Sequence, residues 1–174
     1  MSGQRAVTTN LDDFGTTLGA RERWSTLAAV GLGVVGMTAL GLVFTVRSGD
    51  VRWLFLSLPL TLVLFVVGRL APTGYRLAAD GVHVERRAGP KVIPYRVIRS
   101  VDRAPRPLRG LSLTASKGVF GRFGRFWNTT LGFYRLFVTN SDGVVWLETS
   151  DGWVGLSPDR PDDFVERLRG RLGR

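Results

Sequence analysis

Trp24-Ser-Thr-Leu-Ala-Ala-Val-Gly-Leu-Gly-Val-Val-Gly-Met-Thr-Ala-Leu-Gly-Leu-Val-Phe-Thr-Val46 and, after a six-residue spacer, Trp53-Leu-Phe-Leu-Ser-Leu-Pro-Leu-Thr-Leu-Val-Leu-Phe-Val-Val-Gly68 decide the fold of this chain. Twenty-three residues without a charge separate Arg23 from Arg47, and sixteen separate Arg52 from Arg69. A helix needs about 20 apolar residues to cross the hydrocarbon core. The first run is long enough outright. The second reaches that length with Val51 and Leu70–Ala71 included, if Arg52 and Arg69 snorkel to the headgroups. The alternative is a pair of buried helices in a soluble core, but helices of soluble proteins ordinarily carry a polar stripe, and neither run has one. The reading is a membrane helical hairpin: a helix over 24–46, an outside loop over 47–52 and a second helix over 53–71.

Working outward, residues 1–23 are polar and without sustained periodicity, a composition that reads as a disordered cytoplasmic tail. A secretory signal is excluded, because the apolar run starts too late, is too long and lacks a small-residue cleavage site. The first helix carries Ser25, Ala29, Gly33 and Gly36 at spacings of four, four and three. Small residues on one stripe let membrane helices approach closely. The simplest partner for that stripe is the second helix, and a homodimer is the alternative. Orientation follows from bases in the short flanks. Arg5, Arg21 and Arg23 precede the first helix and Arg69, Arg76, Arg86 and Arg87 follow the second, against Arg47 and Arg52 in the spacer. Both termini are expected in the cytoplasm, with the chain in the inner (plasma) membrane.

From Gly74 onward the apolar period changes to two. Tyr75-Arg-Leu-Ala-Ala and Val82-His-Val-Glu-Arg are joined by Asp80-Gly81, a strong hairpin signal. Lys91-Val-Ile-Pro, Tyr95–Asp102, Phe133–Thr139, Val144–Thr149 and Trp153–Ser157 continue the pattern, giving six or seven strands at sandwich or barrel spacing. The chain closes on an amphipathic helix. Asp159, Pro161, Asp162 and Asp163 suit its N-terminus, and Phe164, Leu168 and Leu172 form one apolar face.

Several segments carry a resemblance. Gly74-Tyr75-Arg76-Leu77 with Asp80-Gly81, and Ile93-Pro94-Tyr95-Arg96-Val97-Ile98-Arg99-Ser100-Val101, are similar to the opening hairpin and third strand of bacterial pleckstrin-homology-like domains. Phe120-Gly-Arg-Phe-Gly-Arg-Phe-Trp127 with Leu131-Gly-Phe-Tyr134 looks like a glycine–aromatic segment of one membrane-attached branch, and Leu156-Ser-Pro-Asp159 with Phe164 and Leu168 like its helix entry. Covering roughly residues 72–172, the resemblance implies a PH-like, partly open barrel of about seven strands, capped by one C-terminal α-helix, so that 72–174 is expected to be a cytoplasmic PH-like domain. It implies no particular ligand.

Composition bears on function as well. The chain has 174 residues, no cysteine, one histidine (His83) and a formal net charge of +10. Disulfide and thiolate chemistry are therefore excluded. Of the fourteen carboxylates, three sit in Asp-Gly turns and three at the helix N-terminus, His83 stands alone in a strand, and no phosphate-loop or nucleophile motif is present. No catalytic, cofactor-binding or metal-binding residue is expected, and the chain reads as a non-enzyme.

Residues 74–140 hold thirteen bases against Asp80, Glu85 and Asp102. Within 86–127, Gly118, Gly121 and Gly124 alternate with Phe120, Phe123 and Phe126. Guanidinium groups and rings in a Gly-rich stretch suit a membrane interface. The candidate lipid or partner surface is Arg86, Arg87, Arg122, Phe123, Arg125, Phe126 and Trp127. These residue types would equally suit a nucleic-acid backbone, but the tether keeps anionic lipid within reach, and nucleic acid is not expected. The bland alternative is a basic barrel wall. The functional reading is a membrane-anchored binding or scaffold module docking on anionic lipid or a protein partner. The alternative is a subunit of a transport or envelope-assembly complex that docks through its helices.

Overall fold

The computed structural model describes residues 12–104, 106, 108, 111–117 and 119–173. Of the residues named above, Arg5 and Gly118 lie outside these, as do residues 1–11 of the tail.

Ala20–Ser48 forms one helix of 29 residues and Val51–Leu70 another of 20, both long and apolar enough to cross a membrane. The first is π-helical over Ala29–Val35. Gly49, at φ 71°, ends it in the left-handed conformation that glycine adopts without a Cβ penalty. Asp50 then accepts the Arg52 backbone N–H at 2.9 Å and starts the second helix. That helix opens as a 3₁₀ turn over Val51–Ser57 and becomes α-helical at Leu58. Pro59 stands in the first α-turn, where its missing N–H costs no intrahelical bond.

The helices meet through glycine, though not along the whole expected stripe. A Cβ on Gly33 would lie 2.7 Å from Leu60 Cδ2, and one on Gly41 would lie 2.2 Å from the Trp53 carbonyl oxygen. Nothing among the described residues comes within 4 Å of the corresponding position on Gly36. The Ser25 hydroxyl donates to the Arg21 carbonyl of its own helix, and Ala29 is half-buried. Gly33 thus faces the second helix as expected, Gly36 does not, and Gly41 makes the closest approach. A π-helical turn accommodates an extra residue and shifts the angular register of the residues beyond it, so spacings counted on a regular α-helix do not carry across Ala29–Val35.

The β domain has two sheets. Strands β1 (Asp13–Gly15), β2 (Pro72–Leu77), β3 (Gly81–Arg86) and β4 (Lys91–Pro94) form one, in that order. The other comprises β5 (Ile98–Asp102), β6 (Leu111–Lys117), β7 (Arg122–Asn128), β8 (Gly132–Val138), β9 (Val145–Thr149) and β10 (Gly152–Leu156). Its order is β5-β9-β10-β8-β7-β6, with β10 parallel to β8 and the remaining pairs antiparallel. A C-terminal helix, Pro161–Leu172, buries Phe164, Val165 and Leu168 against the main core, which also holds Tyr75, Leu77, Val82, Val84, Leu147 and Leu156.

One expectation is corrected. Residues 12–19 are not a loose tail: β1 pairs antiparallel with β2, placing Phe14 opposite Tyr75. Phe14 is buried and meets the Phe164 ring edge-on at 5.1 Å. The domain therefore includes sequence from before the first apolar helix. Because β1 precedes the hairpin and β2 follows it, this pairing also brings the two outer ends of the hairpin together at one place. The strand count rises to ten among the described residues, since β1, β6 and β7 join the seven segments read by alternation.

Candidate functional site at the helix–barrel junction

Both apolar helices are hydrogen-bonded into the barrel where they meet it. Ahead of the first helix, the Gly19 N–H donates to the Thr139 carbonyl at 3.0 Å. Glu22 is buried and accepts from the Ser141 hydroxyl at 2.7 Å. At the end of the second helix, the Arg69 carbonyl accepts from the Ala88 N–H at 2.9 Å.

The turn between β6 and β7 makes the third attachment. The Phe120 N–H donates to Thr26 Oγ1 on the first helix at 2.8 Å, and the Phe120 ring faces Gly68 on the second. Phe120 is the one non-glycine residue at positive φ (57°) among those described, a conformation that costs energy and persists only where its surroundings hold it. Gly121 follows at φ 112°, and a Cβ there would lie 2.5 Å from the Val138 carbonyl oxygen. The glycine–aromatic motif therefore bridges the two helices, with its backbone on the first and its ring on the second.

Two clefts flank the last turns of the second helix. One, of about 550 Å³, is lined by Thr16, Leu64, Phe65, Gly68, Arg87, Phe120 and others. The second, of about 460 Å³, lies between Val63, Leu64, Val67 and Leu70 on the helix and Val119, Phe123 and Phe137 on the barrel, with Arg86 and Ser116 as its polar side chains.

The sequence-predicted surface divides in this setting. Arg87 and Arg125 are exposed. Arg86 is half-buried, its Nε donating to the Gly89 carbonyl at 3.1 Å. Arg122 is half-buried and turned inward, with Nη1 3.4 Å from the Leu108 carbonyl. Trp127 is half-buried at the far end of β7, beside Leu111 and Phe133 in register.

Phe123 and Phe126 are not surface groups. A spacing of three in a strand sends the two rings to opposite faces, and both faces of this sheet are covered. Phe123 joins the main core. Phe126 joins a second cluster with Tyr134, Leu136, Val138 and Trp146, against which Leu108 and Trp153 also pack. Arg106 lies over the Trp153 ring at 3.8 Å on that side. The period of three marks a strand buried on both sides.

Exposed bases flank the junction: Arg21 and Arg23 at the first helix, Arg69 at the end of the second and Arg87 just after β3, while half-buried Arg86 lines the 460 Å³ cleft. His83 is occupied elsewhere, 2.7 Å from Asp80 in the β2–β3 turn. That hydrogen bond holds the Asp80 carboxyl below its ordinary value. Among the described residues, no three His, Asp or Glu side chains are placed to share a metal ion.

Sequence reasoning missed Phe14, Thr26, Gly41 and the docking role of Phe120. A lone aromatic in the polar run Asp12-Asp13-Phe14-Gly15 was the available signal for the first, and Phe120-Gly121 at a turn for the last.

Two sheets closed by one C-terminal helix, joined to a pair of long apolar helices, define a PH-like barrel carried on a helical hairpin. The chain matches the Bacterial PH domain family over residues 73–172 and belongs to it. Comparison with curated proteins and with solved structures gave no match.

Proposed function

We propose that this protein is a non-enzymatic, membrane-anchored binding module whose PH-like domain is held against the cytoplasmic face of the inner membrane. The observation that carries the reading is the triple attachment at Gly19, Thr26 and Arg69, which clamps the barrel to both helices rather than leaving it on a free tether. A domain so clamped keeps one rim at headgroup depth. That rim is the collar of Arg21, Arg23, Arg69, Arg86 and Arg87, and each base near an anionic surface contributes about 1 kcal/mol. The collar replaces the Gly-aromatic strand as the lipid-facing element, because the rings of that strand are used in the core.

Hydrogen exchange on the full chain in nanodiscs tests this. Nanodiscs of phosphatidylglycerol should protect residues 86–89 more than nanodiscs of phosphatidylcholine do, and salt should erase the difference because surface charge is screened over about 8–10 Å. Equal exchange in the two lipids at low salt would remove the anionic-surface reading.

A further inference from the structure

We infer that the 460 Å³ cleft between the second helix and the barrel holds one acyl chain of an anionic membrane lipid, with Arg86 on the lipid phosphate; this rests on the membrane-facing reading above. The volume lies within the range of about 300–1,000 Å³ usual for small-ligand sites. Both walls are apolar. Val63, Leu64 and Val67 supply one, and Val119, Phe123 and Phe137 the other.

The polar groups sit where a headgroup requires them. Ser116 donates to the Val119 carbonyl at 2.8 Å and so braces the turn. The Arg86 Nε bond to Gly89 fixes the stem of a guanidinium that lines the cleft. A guanidinium matches a phosphate's oxygens with paired donors.

Position selects the occupant. Val63 precedes Leu70 by seven residues, about 10 Å along the helix axis. The helix wall therefore belongs to the final two turns of an apolar span, and the cleft meets the bilayer where headgroup gives way to hydrocarbon. An apolar cavity is a poor site for water, which needs two to four polar partners. Lipid is the apolar molecule always present at that depth, and the basic collar favours an anionic one. Phe120 lines the neighbouring cleft and not this one.

The test is native mass spectrometry of the full-length chain, loaded in micelles with equal phosphatidylglycerol and phosphatidylcholine and then delipidated by detergent exchange. One retained phosphatidylglycerol per chain is expected. Val63→Trp, from a position 55% exposed, fills the cleft and should abolish retention with the melting curve unchanged. Leu70→Trp fills it from the other end and serves if the first variant is unstable. Arg86→Gln should still retain lipid but lose about tenfold in preference for phosphatidylglycerol, the scale of one hydrogen bond to a charged group. A wild type that retains no lipid, cleft-filling variants that retain as much as wild type, or a chain dimer in place of the lipid adduct would overturn the proposal. If retention fails while the nanodisc protection of residues 86–89 persists, only the cleft is refuted. If both fail, the anionic-surface reading falls with it.

Discussion

Replacing Phe14 with alanine isolates the contribution of a strand separated in sequence from the rest of its sheet by the apolar hairpin. Phe14 is 2% exposed, meets Phe164 edge-on at 5.1 Å and has the Arg160 guanidinium 5.4 Å from its ring. Truncating a buried phenylalanine costs about 3–5 kcal/mol, against the 5–15 kcal/mol a domain has in total. One kcal/mol moves the melting temperature of a domain of this size by about 4–8 °C, so the expected drop is at least about 12 °C. The assay is thermal denaturation of the full chain in detergent, followed by near-ultraviolet circular dichroism of the β domain. Phe133→Ala, at a position 65% exposed, is the control and should stay within about 0.5 kcal/mol of wild type. The same logic applies to a fragment beginning at residue 72. It lacks β1 and the Asp12 carboxylate that Arg171 grips at 2.7 Å, and should be markedly less stable than the full chain. If Phe14→Ala melts with the wild type, β1 is not part of the fold, and the shared anchoring of both helix ends is lost with it.

The same contacts carry further expectations. Gly41→Ala sets a Cβ against the Trp53 backbone and should cost about 1–3 kcal/mol in detergent unfolding. Gly36→Ala, with open space around it, should cost nothing and gain up to about 1 kcal/mol of helix propensity; equal effects would refute the hairpin packing. Phe164→Ala combined with Leu168→Ala should unfold the domain, since each removes a fully buried side chain worth about 2–5 kcal/mol; a wild-type melting curve would mean that the helix is not plugging the core. Reporter fusions at residue 174 and ahead of residue 12 should report the cytoplasm and one at Gly49 the outside; fusions at the two termini that disagree would contradict the β1–β2 pairing. His83→Ala should raise the Asp80 titration midpoint toward the ordinary carboxylate value, read by carbon NMR. Because the folded value is lowered, the Asp80–His83 pairing contributes at neutral pH and is lost as pH falls through that value.

The apolar hairpin, the β domain behind it, the closing helix and the family likeness were all legible from the sequence. Each is a local pattern: an uninterrupted apolar run, alternation with Asp-Gly turns, an apolar face at i, i+4 and i+8. Long-range pairing had no such signature. Three residues at Asp13–Gly15 are too few for periodicity to register, and they become a strand only because β2 offers an edge across 56 intervening residues. Phe123 and Phe126 looked like interfacial rings because sequence gives the spacing of side chains but not what covers each face of a strand. The stripe on the first helix was counted at regular α-helical spacing, and the π-helical segment turned Gly36 away while Gly41 met Trp53. Tertiary structure alone decided that Phe120 bridges the two helices and that Arg86 lines an apolar cleft beside them, because these groups come together only when the barrel closes onto the hairpin.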